Sequence, residues 1–591
     1  MTATANHNAP QTLCQCSTNE MSDRNVPQQL TENQWDSRLQ RLEDSRGTPV
    51  WIHLRDTDDI RRDLERQRAR VIAGEDLSLP CMLVAVKDNI DVAAIPTTAA
   101  CPAYQYTPTS SAPAVQRLVD AGAVVVGKTN MDAFATGLVG TRSPYGVPSS
   151  VLDPALIPGG SSSGSAVAVA LGLADIGLGT DTAGSGRVPA VFNGIVGLKP
   201  TKGYISTTGI VPAAESFDAV SVFARSVAGA TRAVQVMATG DVPVRRCAAP
   251  QPSVVGVPCD ENLAALSPEY AESFALALST AKARGLETVQ IDMSGLLNAA
   301  RLLYDGALVA ERYAAVGEFI DSHPDDVDQT VAKIIQSARD IPAHRYLEDR
   351  RRINSAREEL DRMLERVDSL LLPVTTEHPS IAEVSAAPRT INARLGTFTN
   401  FANLLSTSAC AVPMTHEGRG GFGVMVVGGH GDDQVVVDLA ARLADEEPRL
   451  VTTDDGTLPL AVFGAHLRGM PLHHQLDKLG ARYVGEIETA PHYRMVALNT
   501  VPLKPGVAEA FGEQMGTMIP GELYLLTPET LARFLVSLPA PMSLTQFELA
   551  DGQKVTGFTS EPAAYTGGED ITEYGGWRAY VQHLTRKAGQ E

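Results

Sequence analysis

Two segments rich in glycine and serine carry the residue types most suited to chemistry. Ser161 opens the serine triplet of PGGSSSGSA, and Ser185 lies in TDTAGSGR. The first segment runs into an apolar stretch of small residues, Ala166–Leu173, which predicts a helix directly after the serines. Amides at a helix N-terminus and in a glycine-rich loop favour anionic atoms. Either segment alone could be a linker or a tight turn, but together they favour an anion or oxyanion site.

A nucleophilic serine needs a base, and the sequence offers a lysine for that role. Residues 158–203 contain no histidine, so a Ser-His-Asp triad has no local support. Lys87, in VAVKDNID, ends an apolar strand. Burial disfavours the ammonium form and lowers a lysine pKa toward neutrality, which makes such a lysine a usable base. The alternative is a salt bridge from Lys87 to Asp88 or Asp91.

Taken together, KDNID, GGSSSGSA and GTDTAGSGRVPA resemble the amidase-signature family, whose members use a triad of a serine, a cis-peptide serine and a lysine. The resemblance implies that Ser185 is the nucleophile, that Ser161 relays the proton and that Lys87 is the base. It also implies an oxyanion hole made by four backbone amides, those of Thr182, Ala183, Gly184 and Ser185.

Other positions extend this resemblance around the two serines. Asp181 and Arg187 match the signature, and we expect them to hold the loop that carries the nucleophile. Gly186 stands where many members carry a larger apolar residue, which could reshape the acyl pocket. The segment KTNMDAFATG, residues 128–137, also resembles the family and is expected to form one wall of the site.

A stretch outside the signature, LLYDGALVAERYAA, resembles the allophanate hydrolases of this family. Tyr304 and Arg312 are eight residues apart, which on one helix would place both side chains on the same face. An arginine fork can hold a carboxylate, and a tyrosine hydroxyl adds a donor. The resemblance implies that allophanate, a carboxylated urea, loses ammonia through an acyl-enzyme. The alternative is a surface salt bridge from Arg312 to Glu311 or Asp305, with Tyr304 in the core.

The C-terminal part carries a second resemblance to those enzymes, in FGAHLRGMPLHHQLDKLGAR, TAPHYRMVAL and GGWRAY. Their extra domain is similar in fold to gamma-glutamyl cyclotransferases, but FLVSLPAPM stands where the catalytic glutamate of the latter would lie. The resemblance implies that N-carboxycarbamate, the product of deamination, loses carbon dioxide here, with His474 in the pocket and His473 as the alternative. A role in stability or assembly remains open.

The elements that must position these residues alternate between strands and helices. Met82–Val86 and Val124–Gly127 read as strands, with a helix at Ala112–Ala121 capped by Ser110 or Ser111. This pattern predicts an α/β fold with a mixed, largely parallel central sheet surrounded by helices. It agrees with the amidase-signature fold that the resemblance implies.

Changes in composition along the chain predict its domains. Residues 1–28 are polar and without period, which is typical of a disordered leader, and residues 29–445 would form the catalytic domain. Residues 446–458, acidic and proline-containing, read as a linker. Residues 459–591 contain short strands and an Asp-Gly hairpin turn at 551–552, which predicts a small α+β or barrel-like domain.

Charge and cysteine content limit the partners. The formal net charge of -20 argues against nucleic acid, and the absence of a long apolar run or a secretory signal predicts a soluble, cytoplasmic enzyme. Seven scattered cysteines suit free thiols, and Cys14 with Cys16 make a poor zinc site, so we predict no metal and no cofactor. A homodimer and association with upstream pathway enzymes are expected. The functional alternatives are a general amidase, an amidotransferase subunit and an assembly scaffold.

Overall fold

The computed structural model describes residues 30–414, 420–452, 456–512 and 516–588. The predicted leader, with Cys14 and Cys16, lies outside the described residues. Within them, eleven strands form one sheet. The strands in chain order are β1 Trp51–Leu54, β2 Leu83–Lys87, β3 Val124–Thr129, β4 Ile176–Asp181, β5 Val196–Lys199, β6 Ala219–Ala224, β7 Ser253–Pro258, β8 Leu286–Ile291, β9 Ser369–Pro373, β10 Ser408–Pro413 and β11 Gly423–Gly428. Their spatial order in the sheet is β1-β3-β2-β4-β6-β5-β10-β11-β9-β7-β8.

Helices cover both faces of this sheet, and its central strands are therefore buried on both sides. In β11, Val424 and Val426 belong to one apolar cluster, whereas Met425 and Val427 belong to another. The helices are α1 Glu32–Asp44, α2 Thr57–Ile72, α3 Pro113–Asp120, α4 Ser163–Ala170, α5 Val188–Phe192, α6 Val227–Met237, α7 Asp260–Leu263, α8 Pro268–Ala283, α9 Ser294–Asp305, α10 Ala310–Ser322, α11 Gln329–Gln336, α12 Ala343–Leu364, α13 Ile381–Ala386, α14 Pro388–Leu395, α15 Asn400–Leu404 and α16 Asp433–Ala444.

The sheet is mixed, as predicted, but the expectation that it is largely parallel is wrong. Of the ten neighbouring strand pairs in this sheet of the described chain, six are antiparallel and four are parallel. A continuous apolar run shows that a strand is buried on both faces. It carries no information about the direction of the neighbouring strand.

The predicted strands correspond to β2 and β3, and the predicted helix between them corresponds to α3. Its predicted serine cap is wrong, because the N-cap residue is Ala112 and it makes no side-chain capping bond. Pro113 occupies the first turn, where its fixed φ and missing N–H favour a helix start without a capping side chain. Ser111 Oγ instead accepts a hydrogen bond from Ala93 N at 3.0 Å.

The C-terminal part of the described chain builds two further sheets around its own apolar cluster. Its elements are β12 Leu458–Val462, α17 His473–Lys478, β13 Arg482–Glu488, β14 Tyr493–Leu498, β15 Lys504–Glu509, β16 Pro520–Leu526, α18 Pro528–Ser537, β17 Met542–Glu548, β18 Lys554–Ser560, β19 Glu569–Asp570 and α19 Trp577–Ala588. One sheet has five strands in the order β13-β16-β12-β18-β17, and the other has three in the order β15-β14-β19. The predicted turn at 551–552 joins β17 to β18, which pair antiparallel, and Gly552 has a φ of +86°.

A search of the described residues for a helix both long and apolar enough to span a membrane finds none. The five described cysteines are free thiols, four of them buried.

Candidate active site

Lys87 ends β2 with its side chain fully buried. Its Nζ donates to Ser161 Oγ and to Thr180 Oγ1, each at 2.8 Å. The alternative salt bridges do not form. Asp88 pairs with Lys128, at 3.3 Å between Oδ1 and Nζ, and Asp91 accepts from the hydroxyl of Tyr106 at 2.7 Å. Lys87 is therefore directed at serine and threonine hydroxyls.

Ser161 follows a cis peptide bond at Gly160–Ser161, just before α4. Its hydroxyl lies 2.8 Å from Lys87 Nζ on one side and 3.0 Å from Ser185 Oγ on the other. A Cβ on Gly160 would lie 2.2 Å from Asp132 Oδ2, so only glycine fits before the serine. The three side chains thus form one buried hydrogen-bonded chain from Ser185 through Ser161 to Lys87.

The carboxylate of Asp181, at the end of β4, organises the loop that carries Ser185. It accepts from Gly184 N at 2.8 Å, from Gly186 N at 2.9 Å and from the guanidinium of Arg187. Burial alone would raise the pKa of Asp181, but Arg187, Lys199 and the Gly186 amide together lower it. The loop is thereby held in place around Ser185.

This arrangement corrects one part of the predicted oxyanion hole. The Gly184 amide already donates to Asp181, so it is not available to a substrate oxygen. The amides of Thr182, Ala183 and Ser185 donate to no backbone acceptor within the described chain. These three amides remain the predicted oxyanion donors.

Electrostatics at Lys87 favour a base that is usable near neutral pH. Burial lowers its pKa to about 7, against the carboxylates of Asp132, Asp181 and Asp218, which favour the charged form. Arg312 adds to the lowering. A substantial fraction of neutral amine therefore exists at neutral pH.

The predicted pair of Tyr304 and Arg312 meets, although not on one helix as the spacing suggested. Tyr304 lies in α9, which ends before Gly306, and Arg312 lies in α10. Gly306 is extended, at φ -100° and ψ -171°, so the helix is interrupted between them. Arg312 Nη2 nevertheless lies 3.4 Å from the Tyr304 hydroxyl, and its Cζ lies 5.2 Å from the ring centroid.

The surface salt bridge proposed as the alternative for Arg312 is absent. Arg312 is 1% exposed, and its Nη1 donates to Thr136 Oγ1 at 3.1 Å. Its Nε has no hydrogen-bond partner among the described residues. Glu311 instead accepts from Tyr346 OH at 2.6 Å and from Ser216 N at 2.8 Å. A buried guanidinium that forms no salt bridge with any described residue suits an anionic ligand.

Comparison with known families identifies the fold around this site. The amidase family model matches residues 44–437, and the model described as the allophanate hydrolase C-terminal domain matches residues 458–582.

The chain belongs to the amidase family.

Relatives cover nearly all of the chain. Urea amidolyases of Lachancea kluyveri and Saccharomyces cerevisiae are 40% and 37% identical over 91% and 94% of it. The chain spans 32% of each of these proteins, so it corresponds to about a third of their length. A solved structure of Kluyveromyces lactis allophanate hydrolase is 36% identical, with a TM-score of 0.84, covering 94% of this chain and 97% of that one. These matches confirm the predicted amidase-signature fold, while the likeness to gamma-glutamyl cyclotransferases remains a prediction.

In the C-terminal part of this amidase, the prediction that His474 lies in a pocket is wrong. His474 is exposed, with Nδ1 2.9 Å from Pro471 O. His473 is partly buried, and its Nε2 lies 3.4 Å from Asp477. Neither lines the cavity of about 170 Å³ found there. Both lie at the start of α17, where His474 faces solvent and His473 packs against Tyr524, with ring centroids 6.0 Å apart.

His466 is the histidine that lines this cavity, together with Gln475, Lys504 and Phe558. Its ring stacks on Phe558 with centroids 5.0 Å apart, and its Nε2 lies 3.0 Å from Gln475 Oε1. Burial lowers its pKa. His466 lies in FGAHL, the segment that directly follows strand β12. Its position just after a strand is the feature of the sequence that could have indicated a pocket residue.

Several polar residues around Lys87, Ser161 and Ser185 were not predicted from the sequence. Thr180 holds Lys87, and Thr136 holds Arg312. Asp218 accepts from the hydroxyl of Thr182 and from Ala213 N. Thr136 lies in the segment predicted to form a wall of the site, whereas Asp218 has no local signal, because its role depends on contacts with distant elements.

Proposed function

We propose that the chain hydrolyses the terminal amide of allophanate, releasing ammonia. The buried guanidinium of Arg312 carries this proposal, since it forms no salt bridge in the described structure, its Nε has no hydrogen-bond partner there, and its charge acts on Lys87. The carboxylate of allophanate would supply that partner. The names of the relatives, urea amidolyase and allophanate hydrolase, support the same substrate. No feature of the site favours an amidotransferase or a scaffold instead.

The chemistry follows from the hydrogen-bonded chain. Neutral Lys87 takes a proton from Ser161 while Ser161 takes one from Ser185, since hydroxyl hydrogens can rotate to either partner. Ser185 Oγ attacks the terminal carbonyl, and backbone amides stabilise the oxyanion. Lys87 returns the proton through Ser161 to the leaving nitrogen, which departs as ammonia. Water then attacks the acyl-enzyme and releases N-carboxycarbamate.

Replacement of the nucleophile tests this mechanism. Ser185→Ala is expected to lower ammonia release from allophanate more than about a thousandfold, because the acyl-enzyme cannot form. Ser163→Ala, in the same serine triplet but outside the hydrogen-bonded chain, serves as control and keeps most of the activity. Ammonia is measured with a coupled assay, alongside malonamate, glutamine and an aryl amide. Wild-type rates of ammonia release by the Ser185→Ala variant would refute the mechanism. A kcat/KM for glutamine equal to that for allophanate would refute allophanate as the preferred substrate.

We infer that the C-terminal cavity acts on the next intermediate, N-carboxycarbamate, which loses carbon dioxide. An apolar cavity disfavours a solvated carboxylate, so it favours cleavage of the carbon–nitrogen bond with release of carbon dioxide. The nitrogen must then gain one proton to give carbamate, and the imidazole of His466 passes that proton from solvent to the nitrogen. Lys504, at the same cavity, supplies a positive charge for the dianion.

Separate measurement of the two products tests this second step. His466→Asn is expected to slow carbon dioxide release while ammonia release stays at the wild-type rate. His474→Ala, which changes a histidine outside the cavity, is expected to alter neither product. Equal carbon dioxide release from wild type and His466→Asn would remove His466 from the reaction.

The domain limits, a homodimer, a cytoplasmic location and association with upstream enzymes of urea degradation remain proposals. The length of the relatives supports the last of these, because urea amidolyases continue well beyond the matched region. Light scattering of the purified chain measures its oligomeric state.

A further inference from the structure

Thr136 is fully buried, and its hydroxyl donates one hydrogen bond and accepts another. Its Oγ1 donates to Phe134 O at 3.1 Å. The proton is thus committed to that carbonyl, and a lone pair is left to accept from Arg312 Nη1 at 3.1 Å. Among the described residues, this is the shorter of the two hydrogen bonds that the Arg312 guanidinium donates, since the Tyr304 hydroxyl lies at 3.4 Å.

The backbone around Thr136 is held tightly. Arg142 Nη1 donates to Thr136 O at 2.8 Å. Phe134 and Ala135 adopt φ values of 48° and 52°, a region that side chains rarely occupy. A Cβ on Gly137 would lie 2.7 Å from Asp132 Oδ2, so the next position excludes larger residues. The segment therefore has little freedom to shift.

The same segment touches the nucleophile. Gly137 O lies 3.5 Å from Ser185 Oγ. Adjacent Cα atoms are about 3.8 Å apart, so one peptide unit connects the residue that holds Arg312 to the residue beside Ser185. The distance between guanidinium and nucleophile is thereby linked to a single short piece of rigid backbone.

We propose that Thr136 is a specificity-determining positioning residue, which fixes Arg312 at a set distance from Ser185 and so selects short amides bearing a carboxylate. This assignment deepens the proposed function and rests on its carboxylate-binding role for Arg312. Substrates in which the carboxylate is missing or lies further from the scissile carbonyl would gain nothing from the positioned guanidinium.

Binding in a Ser185→Ala background tests the assignment without turnover. Malonamate carries a carboxylate, and malonamide replaces it with a neutral amide of similar shape. Thr136→Val removes the acceptor at nearly constant volume and is expected to raise the Kd of malonamate about tenfold, as for one hydrogen bond to a charged group. The Kd of malonamide should change less than about twofold. Thr136→Ser, which keeps the hydroxyl, should restore malonamate binding.

Other outcomes separate this assignment from the proposed function. Equal weakening of both ligands, or unchanged malonamate binding, would overturn it. Thr136→Ala provides a second hydroxyl-free variant if the valine variant does not fold, with thermal melting as the check. Thr136→Val could weaken malonamate binding and leave malonamide binding unchanged, while the wild-type chain releases no ammonia from allophanate. That result would keep the role of Thr136 and overturn the proposed function.

Discussion

At the scale of single residues, the protonation of Lys87 is a balance between burial and nearby carboxylates. Burial dominates and brings its pKa to about 7. Asp132 is the strongest of the opposing charges. Its carboxylate accepts from Gly140 N and Arg142 N, each at 3.0 Å, and its own amide donates to Ser161 O at 3.1 Å. One buried aspartate thus both supports the cis-peptide loop and favours the charged lysine.

Neutralisation of Asp132 should change the pH dependence of catalysis. Asp132→Asn removes a negative charge that raises the pKa of Lys87, so this pKa should fall and the neutral base should persist at lower pH. The acidic limb of kcat/KM for allophanate is therefore expected to move toward lower pH, even though the maximal rate also drops. Asp88→Asn, a buried aspartate paired with Lys128, is the control and should leave the limb in place. If the maximal rate drops but the acidic limb of the pH profile stays in place, Asp132 has only a structural role.

At the scale of elements, the interruption between α9 and α10 decides where Arg312 points. Asp349 of α12 accepts from Ala307 N at 2.7 Å, in the short turn after Gly306. Asp349 is 4% exposed. A third helix therefore stabilises the break, and the break sets the direction in which α10 leaves.

Loss of the Asp349 carboxylate should disturb both stability and substrate binding. Asp349→Ala leaves the buried amide of Ala307 without an acceptor, which costs about 1–3 kcal/mol of unfolding free energy. A loosened turn should also raise KM for allophanate more than it lowers kcat, because Arg312 moves. Asp361→Ala, an exposed position on the same helix, is the matched control. Chemical denaturation and steady-state kinetics measure the two effects, and an unchanged KM would refute the link to Arg312.

At the scale of the whole molecule, the two parts of the chain contact each other through polar groups. Arg482 of β13 donates to Asp438 of α16 at 2.5 Å and to Cys247 O at 2.8 Å. Ala248 N donates to Gly480 O at 2.9 Å. Burial raises the pKa of Asp438, and Arg482 opposes this rise. The contact thus combines one largely buried ion pair with hydrogen bonds to backbone atoms.

Removal of Arg482 should destabilise the protein in a pH-dependent way. Arg482→Met leaves Asp438 without its cation, which costs about 3 kcal/mol near neutral pH. Because the folded-state pKa of Asp438 is already raised, protonation relieves this cost as pH falls, and the loss should be smaller near pH 5. The midpoint of urea unfolding measures it. Arg533→Met, from an exposed pair with Glu529, should change stability by less than about 0.5 kcal/mol. A loss that grows toward acidic pH would contradict the argument.

Local sequence was sufficient wherever chemistry and backbone conformation are encoded by neighbouring residues. The positions of Lys87, Ser161 and Ser185 could be read from three short motifs. The Asp-Gly turn at 551–552 follows from the need for a positive φ, which Gly552 supplies.

Tertiary structure alone decided the rest, because each remaining feature joins atoms far apart in the chain. Strand direction depends on which strand lies alongside, and the Gly184 amide was lost as a donor when the loop folded back on Asp181. His466 and not His474 lines the cavity because helix α17 turns the latter outward. The contact of Arg312 with Thr136 spans 176 residues. Residue types and local spacing specify the reactive groups, but only packing specifies which group faces which.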